Sequence, residues 1–267
     1  MTGRSILVAE DQGACPTHGN AAARLIVNAD DWGRSEEVTD RIAECVLRQV
    51  VSSASAMVFM EDSERAADLA RRHGVDTGLH LNLTTEFSSA ACPSPLRERQ
   101  RKLARFLRAF CVCPAIFHPG LATAFEYVVQ AQLEEYEKLY CQAASRIDGH
   151  HHMHLCANVQ FQKLLPAGTI VRRNFSFAPG EKSALNRRYR LWQDCRLARR
   201  HRITDFFFSL LPIGRPGRLE EIVALANRFS VEIETHPVNG DEFEFLTGGA
   251  WTRLAGSTGI AHGYSLA

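Results

Sequence analysis

The sequence predicts an α/β fold in which parallel strands are joined by crossover helices. It favours a seven-stranded β/α barrel over an open doubly wound sheet. Two observations carry this expectation. Short apolar runs suited to buried strands lie near residues 25–30, 54–59, 76–81, 146–150, 169–174, 203–208 and 231–236. Helical patterns fill most of the intervals between them, the rhythm that parallel strands and crossovers produce. Seven such strands in a chain of 267 residues suit a barrel, or an incomplete one.

The elements follow in order. Residues 1–23, rich in Gly, Ala and polar side chains, form a weakly structured extension, and 24–267 form a single domain. The ordered pattern begins at Leu25-Ile26-Val27, a run for a buried strand. Ser35 is placed to cap a helix with Glu36 and Glu37 in its first turn, and Val38, Ile42, Val46 and Val50 continue it at helical spacing. Ala54 to Phe59 is a second strand. Asp62-Ser63 opens another helix, and Gly74 is placed to end it. Two excursions break the rhythm. Residues 84–145 hold a Pro/Ser loop and two helical stretches, and 175–202 include the basic run from Arg187 to Arg202.

Composition limits the function classes. Hydrophobic residues make up 45% and charged residues 23%, as in ordinary globular domains, and the net charge of +1 gives no global pull toward nucleic acid or an anionic membrane. The eight cysteines show no CxxC pair and fit free thiols of a reducing compartment. The opening MTGRSILVAEDQ has an apolar run too short for a secretory leader, and no stretch approaches a transmembrane segment. The expectation is a cytoplasmic protein.

In parallel α/β folds the working residues gather at the carboxyl ends of strands. Four polar clusters fall there: Asn28 to Gly33, Gly78 to Asn82, Asp148 with His150, and Thr235-His236-Pro237. Adjacent carboxylates repel unless a cation holds one and leaves the other free as a base; helix capping is the plainer alternative for Asp30-Asp31. His80, inside an apolar strand, is by itself either a core residue or a ligand. The run His150-His151-His152-Met153-His154 shifts the balance toward a ligand. Strand alternation puts Asp148, His150, His152 and His154 on one face, as far as the strand lasts. Asp31, His80 and His150 together would form a two-His, one-carboxylate set with open coordination positions.

The motifs LIVNADDWG (25–33), GLHLNLT (78–84), IDGHHHMHL (147–155) and VEIETHPV (231–238) resemble, in this order, those of the YdjC-like carbohydrate deacetylase family of the ChbG and HpnK type. The resemblance spans roughly residues 24 to 246. It implies a distorted seven-stranded β/α barrel similar to polysaccharide deacetylases. It also implies a divalent metal held by Asp31, His80 and His150, Asp30 as general base and His236 as general acid. His151, His152 and His154 then contact substrate, pack, or support the ligands. Trp32 stands where Phe is more usual, beside the substrate. Arg172 matches an arginine near the catalytic aspartate, although Asn174 replaces a proline common two residues after it.

The implied reaction is hydrolysis of the N-acetyl group of a sugar, oligosaccharide or glycolipid, with no nucleic-acid partner and a homodimer as one possible assembly. The family is described with magnesium; two imidazoles favour zinc, with cobalt, manganese and iron also compatible. Two other readings compete: a metal hydrolase of another bond, such as an ester, and a non-catalytic sugar-binding or scaffold protein on the same fold. In the excursions, Tyr189 and Trp192 suit sugar faces and the arginines a phosphate or carboxylate. Equally, both excursions could only cover the fold or form a dimer contact.

Overall fold

The computed structural model describes residues 23–211, 216–256, 258–264 and 266. All but the last residue of the expected N-terminal extension lies outside them. Seven strands belong to one sheet: β1 (Arg24–Trp32), β2 (Ser53–Ala56), β3 (Thr77–Leu81), β4 (Arg146–Gly149), β5 (Ile170–Val171), β6 (Phe206–Ser209) and β7 (Ser230–Thr235). Their order is β5-β4-β3-β2-β1-β7-β6. The seven-stranded α/β architecture expected from the sequence is therefore the one observed. Its strands are buried along almost their whole length, as parallel strands covered on both faces must be. Leu25, Ile26 and Val27 are wholly buried, each stabilising the fold by about 1.5–3 kcal/mol.

The described residues fall into two compact units, one drawn from Met1–Asn28, Cys45–Ser52 and Ile170–Ala267, the other from Ala29–Glu44 and Ser53–Thr169. In the second unit β2 pairs with β3 and β3 with β4, both parallel, and the register sets His80 beside Asp148. Helix α1 (Glu36–Leu47) starts where expected, with the Ser35 hydroxyl accepting from the Val38 N–H at 3.4 Å. Helix α2 (Ser63–His73) ends at Gly74, which adopts φ 64°. The long excursion supplies α3 (Ser94–Ala109) and α4 (Ala122–Tyr140), followed after β4 by the short α5 (Ala157–Gln162). Helix α4 is tied to β3, and to Asn82 just after it, through Tyr136 and Gln132. The Tyr136 hydroxyl donates to Thr77 O at 2.9 Å, and Gln132 exchanges bonds with the Asn82 backbone at 2.8 and 3.0 Å.

In the first unit β6 and β7 pair in parallel from Phe206↔Val231 to Ser209↔Glu234. Strand β5 is only two residues long, against an expected run to residue 174. Beyond Val171 the ladder gives way to side-chain bonds. The Asn174 N–H donates to the Asp194 carboxylate at 2.9 Å, and Arg173 grips the same carboxylate at 2.8 and 3.0 Å. This anchors α6 (Ala184–Leu197), the helix of the basic excursion. Ile170 bridges Arg202, and the Ser176 N–H donates to Phe207 O at 2.8 Å, so the segments flanking β5 and β6 are hydrogen-bonded to each other. Helices α7 (Arg218–Leu225), α8 (Gly240–Thr247) and α9 (Gly249–Ala255) complete this unit. Among the described residues no helix is long and apolar enough to cross a membrane, and the seven described cysteines are free thiols.

Candidate metal centre

The centre is built at the carboxyl ends of β1, β3 and β4. Strand β1 closes on Asp30-Asp31-Trp32-Gly33, where the chain leaves extended geometry abruptly. Asp31 sits at φ 75°, a left-handed conformation that costs a non-glycine residue energy and is found disproportionately at functional sites. Gly33 follows at φ 87°, and a Cβ there would lie 3.1 Å from Met57 O and 3.2 Å from the Ser63 Cα. The turn therefore needs glycine both for its backbone angle and for space.

The bend aims the buried Asp31 carboxylate inward. Its Oδ2 pairs with Arg34 at 2.9 Å, while Oδ1 lies 2.9 Å from His150 Nδ1 and 3.3 Å from His80 Nε2. Despite these short approaches Oδ1 has no well-directed hydrogen bond, and neither does the buried His150 Nε2. Buried polar atoms are nearly always satisfied. Asp31 Oδ1, a buried acceptor left unsatisfied with two imidazole nitrogens within 3.3 Å, fits a cation held among these atoms. Asp31, His80 and His150 offer ligand atoms all within 4.8 Å of one another, and so do Asp30, His80 and Asp148.

Asp148 prepares His80 for that task. Its Oδ1 lies 2.7 Å from His80 Nδ1, and the Ser55 hydroxyl donates to its Oδ2. A carboxylate on one imidazole nitrogen fixes the tautomer, directs the other nitrogen's lone pair outward and raises its basicity. The surrounding charge points the same way. Burial alone would lower the His80 pKa, but the Asp30 and Asp148 carboxylates raise it to about 10. Burial would raise Asp31, yet its contacts with His150 and His80 hold it well below the usual carboxylate range. Three carboxylates thus demand positive charge around one imidazole, a demand that a divalent cation meets more fully than a proton. Asp30 Oδ2, 4.0 Å from His80 Nε2, stands one step further from this convergence than Asp31.

The remaining histidines do not continue the strand. Alternation stops at Gly149 because His151 and His152 both adopt left-handed backbone, at φ 54° and 57°, in a short 3₁₀ turn. His151 Nδ1 meets the Thr84 hydroxyl at 3.0 Å, and burial beside His150 lowers its pKa to about 4, which keeps it neutral. His154 is wholly buried against Gly149, where a Cβ would fall 2.9 Å from its Nδ1. Trp32 is also wholly buried, its indole N–H donating to Ala66 O at 3.1 Å.

Arg172 and His236 belong to the other unit. There the buried Arg172 guanidinium donates to Glu232 at 2.7 Å and Glu234 at 3.2 Å and lies over the Phe207 ring. The His236 N–H donates to the Glu242 carboxylate at 2.8 Å, just after β7. Sequence reasoning named Asp31, His80 and His150, which the fold brings together, but missed their supports. The register of β3 against β4 signals Asp148 as the partner of His80; nothing in the sequence singles out Ser55 or Arg34. Replacing Asp148 by Asn is expected to weaken metal affinity about 10–100-fold, as loss of such a support typically does. Competition with a chromophoric chelator measures this, and unchanged affinity would contradict the role.

Comparisons with known proteins agree with the motif pattern. A family model described as YdjC-like protein matches residues 24–244. The chain is 34% identical over 142 residues to a mouse carbohydrate deacetylase, covering 51% of this chain and 44% of that protein. Over 236 residues it is 26% identical to an Enterobacter chitooligosaccharide deacetylase, covering 86% and 88%. It thus spans under half the length of the mouse relative and most of the bacterial one. A solved structure from Enterococcus faecalis, described as a cellobiose-phosphate cleavage protein, superposes with a TM-score of 0.61 at 19% identity, covering 90% of this chain and 96% of that one. That likeness speaks for the fold alone.

Proposed function

The chain belongs to the YdjC-like family, and from that premise we propose that it is a metal-dependent carbohydrate deacetylase. On this reading residues 24–267 work as one catalytic domain that removes N-acetyl groups from a mono- or short oligosaccharide or a glycoconjugate. The observation that carries the reading is the convergence of Asp31 Oδ1, His80 Nε2 and His150 Nδ1 beside a second carboxylate, Asp30. A sugar-binding relic has no need of a spare base next to a ligand set.

Amide hydrolysis requires an activated water, a stabilised oxyanion and a proton for a poor leaving group. A divalent cation held by Asp31, His80 and His150 would supply acidity toward water and carbonyl. Asp30 receives the water proton, because its partner Asp31 is the carboxylate committed to the cation. His236 in its protonated form gives a proton to the departing amine nitrogen. Arg172, whose charge is matched by Glu232 and Glu234, is assigned a positioning role beside the substrate. Trp32 and His154, both wholly buried, would shape the site by packing rather than through exposed polar contacts. Two imidazoles and one carboxylate favour zinc over magnesium. The free thiols of the described cysteines fit a reducing, cytoplasmic location.

The substrate-size assignment rests on the excursions at 84–145 and 175–202, since long insertions after barrel strands commonly serve as binding loops or lids. Acetate release is expected to be much faster from short N-acetylated glycans or glycolipid head groups than from polymeric chitin. Faster turnover on the polymer would defeat the short-substrate assignment. Release of acetate from none of them would defeat the deacetylase assignment itself.

A further inference from the structure

Helix α6 turns several large apolar side chains toward water. Its inward face sets charge beside the buried Leu197: Asp194 is buried on Arg173 and Asn174. Arg190 also lies half-buried there, over the Phe177 ring and bonded to Asn186 at 2.8 Å. Its outward face carries large apolar side chains at helical spacing. Leu185 is 81% exposed, Tyr189 44% and Trp192 55%, with the Tyr189 and Trp192 rings stacked 6.1 Å apart. An exposed apolar stripe of this kind ordinarily marks a surface that something covers.

Charge decides what covers it. Apart from the inward Arg190, residues 184–202 contain six arginines and one acid, Asp194, which is already buried and paired. Arg188 flanks the stripe in solvent, and Arg196 lies over the Trp192 ring at 6.0 Å. A second copy of the chain would bring an identical basic surface against this one, and like charges would oppose the contact. A lipid surface with anionic headgroups accepts both components: leucine and aromatic rings at the acyl boundary, arginines among the phosphates. The net charge of +1 conceals this, because the basic excess is local to one helix and its exit. We infer that the outward face of α6, carrying Leu185, Tyr189 and Trp192 among arginines, is a peripheral docking surface for anionic membranes.

The test uses the full chain with phosphatidylcholine vesicles, with and without phosphatidylglycerol. Of the three tryptophans, Trp32 and Trp251 are wholly buried, so a lipid-dependent change in emission reports on Trp192. The expected result is flotation with the anionic vesicles only, weakened by salt. It should come with a blue shift and with quenching by lipids brominated in the acyl chain. A Leu185→Ser, Trp192→Ser double variant, checked for native circular dichroism, should lose at least about tenfold in partitioning. Arg188→Ala should lose about fivefold. If the double variant fails to fold, the quenching of the unmodified chain and the Arg188→Ala shift decide. Several results would overturn the inference: no flotation, equal binding to neutral vesicles, or binding undiminished in the variants. So would a Trp192 emission already blue-shifted by self-association, or one that responds to RNA or to a soluble N-acetylated sugar and not to lipid.

Discussion

Asp30→Asn is expected to lose most turnover, on the order of the 10²–10⁴-fold that a positioned general acid or base contributes, while keeping its metal and its fold. The substitution keeps the shape of the side chain and removes its ability to take a proton. Asp31 cannot stand in, because Oδ2 is engaged by Arg34 and Oδ1 faces both imidazoles. Asp30 also adds to the negative charge that raises the His80 pKa, so its removal lessens that charge while leaving the proposed ligands Asp31, His80 and His150 in place. Acetate release measured on a metal-replete variant separates the two roles. Near-normal turnover would place the base elsewhere, and loss of the metal would make Asp30 a ligand.

The strands and the clustering of Asp31, His80 and His150 were legible in the sequence because both follow simple periodic rules. Buried parallel strands are short apolar runs, and the working residues stand where those runs end. Legibility failed where side chains or strained backbone replace the ladder. Strand β2 was expected to reach Phe59, but Phe59 adopts φ 60° and the strand stops at Ala56. Strand β5 ends early because Asp194, twenty residues downstream, takes over the bonding of residues 173 and 174. The histidine run shows both outcomes. His150 was identifiable as the residue at the strand end, whereas the left-handed turn through His151 and His152 could not be inferred from alternation. Ser55 is in the same position: its bond to Asp148 arises from strand pairing and leaves no local signature.

His80→Ala and His150→Ala should each remove most of the bound metal. Each deletes one of the three residues proposed to hold the ion, and each leaves Asp31 Oδ1 buried without one of the two nitrogens that now approach it. His80→Ala also removes the 2.7 Å contact between Asp148 Oδ1 and His80 Nδ1, so it is the more disruptive of the two. Both side chains are almost wholly buried, and native circular dichroism must accompany the measurement. Metal content per chain, determined by mass spectrometry after equilibration with zinc and gel filtration, tests the centre most directly. About one ion per chain in the unmodified protein, and a sharp fall in both variants, is the result predicted from the geometry of Asp31, His80 and His150. Full stoichiometry in both variants, or none in the unmodified chain, would contradict it.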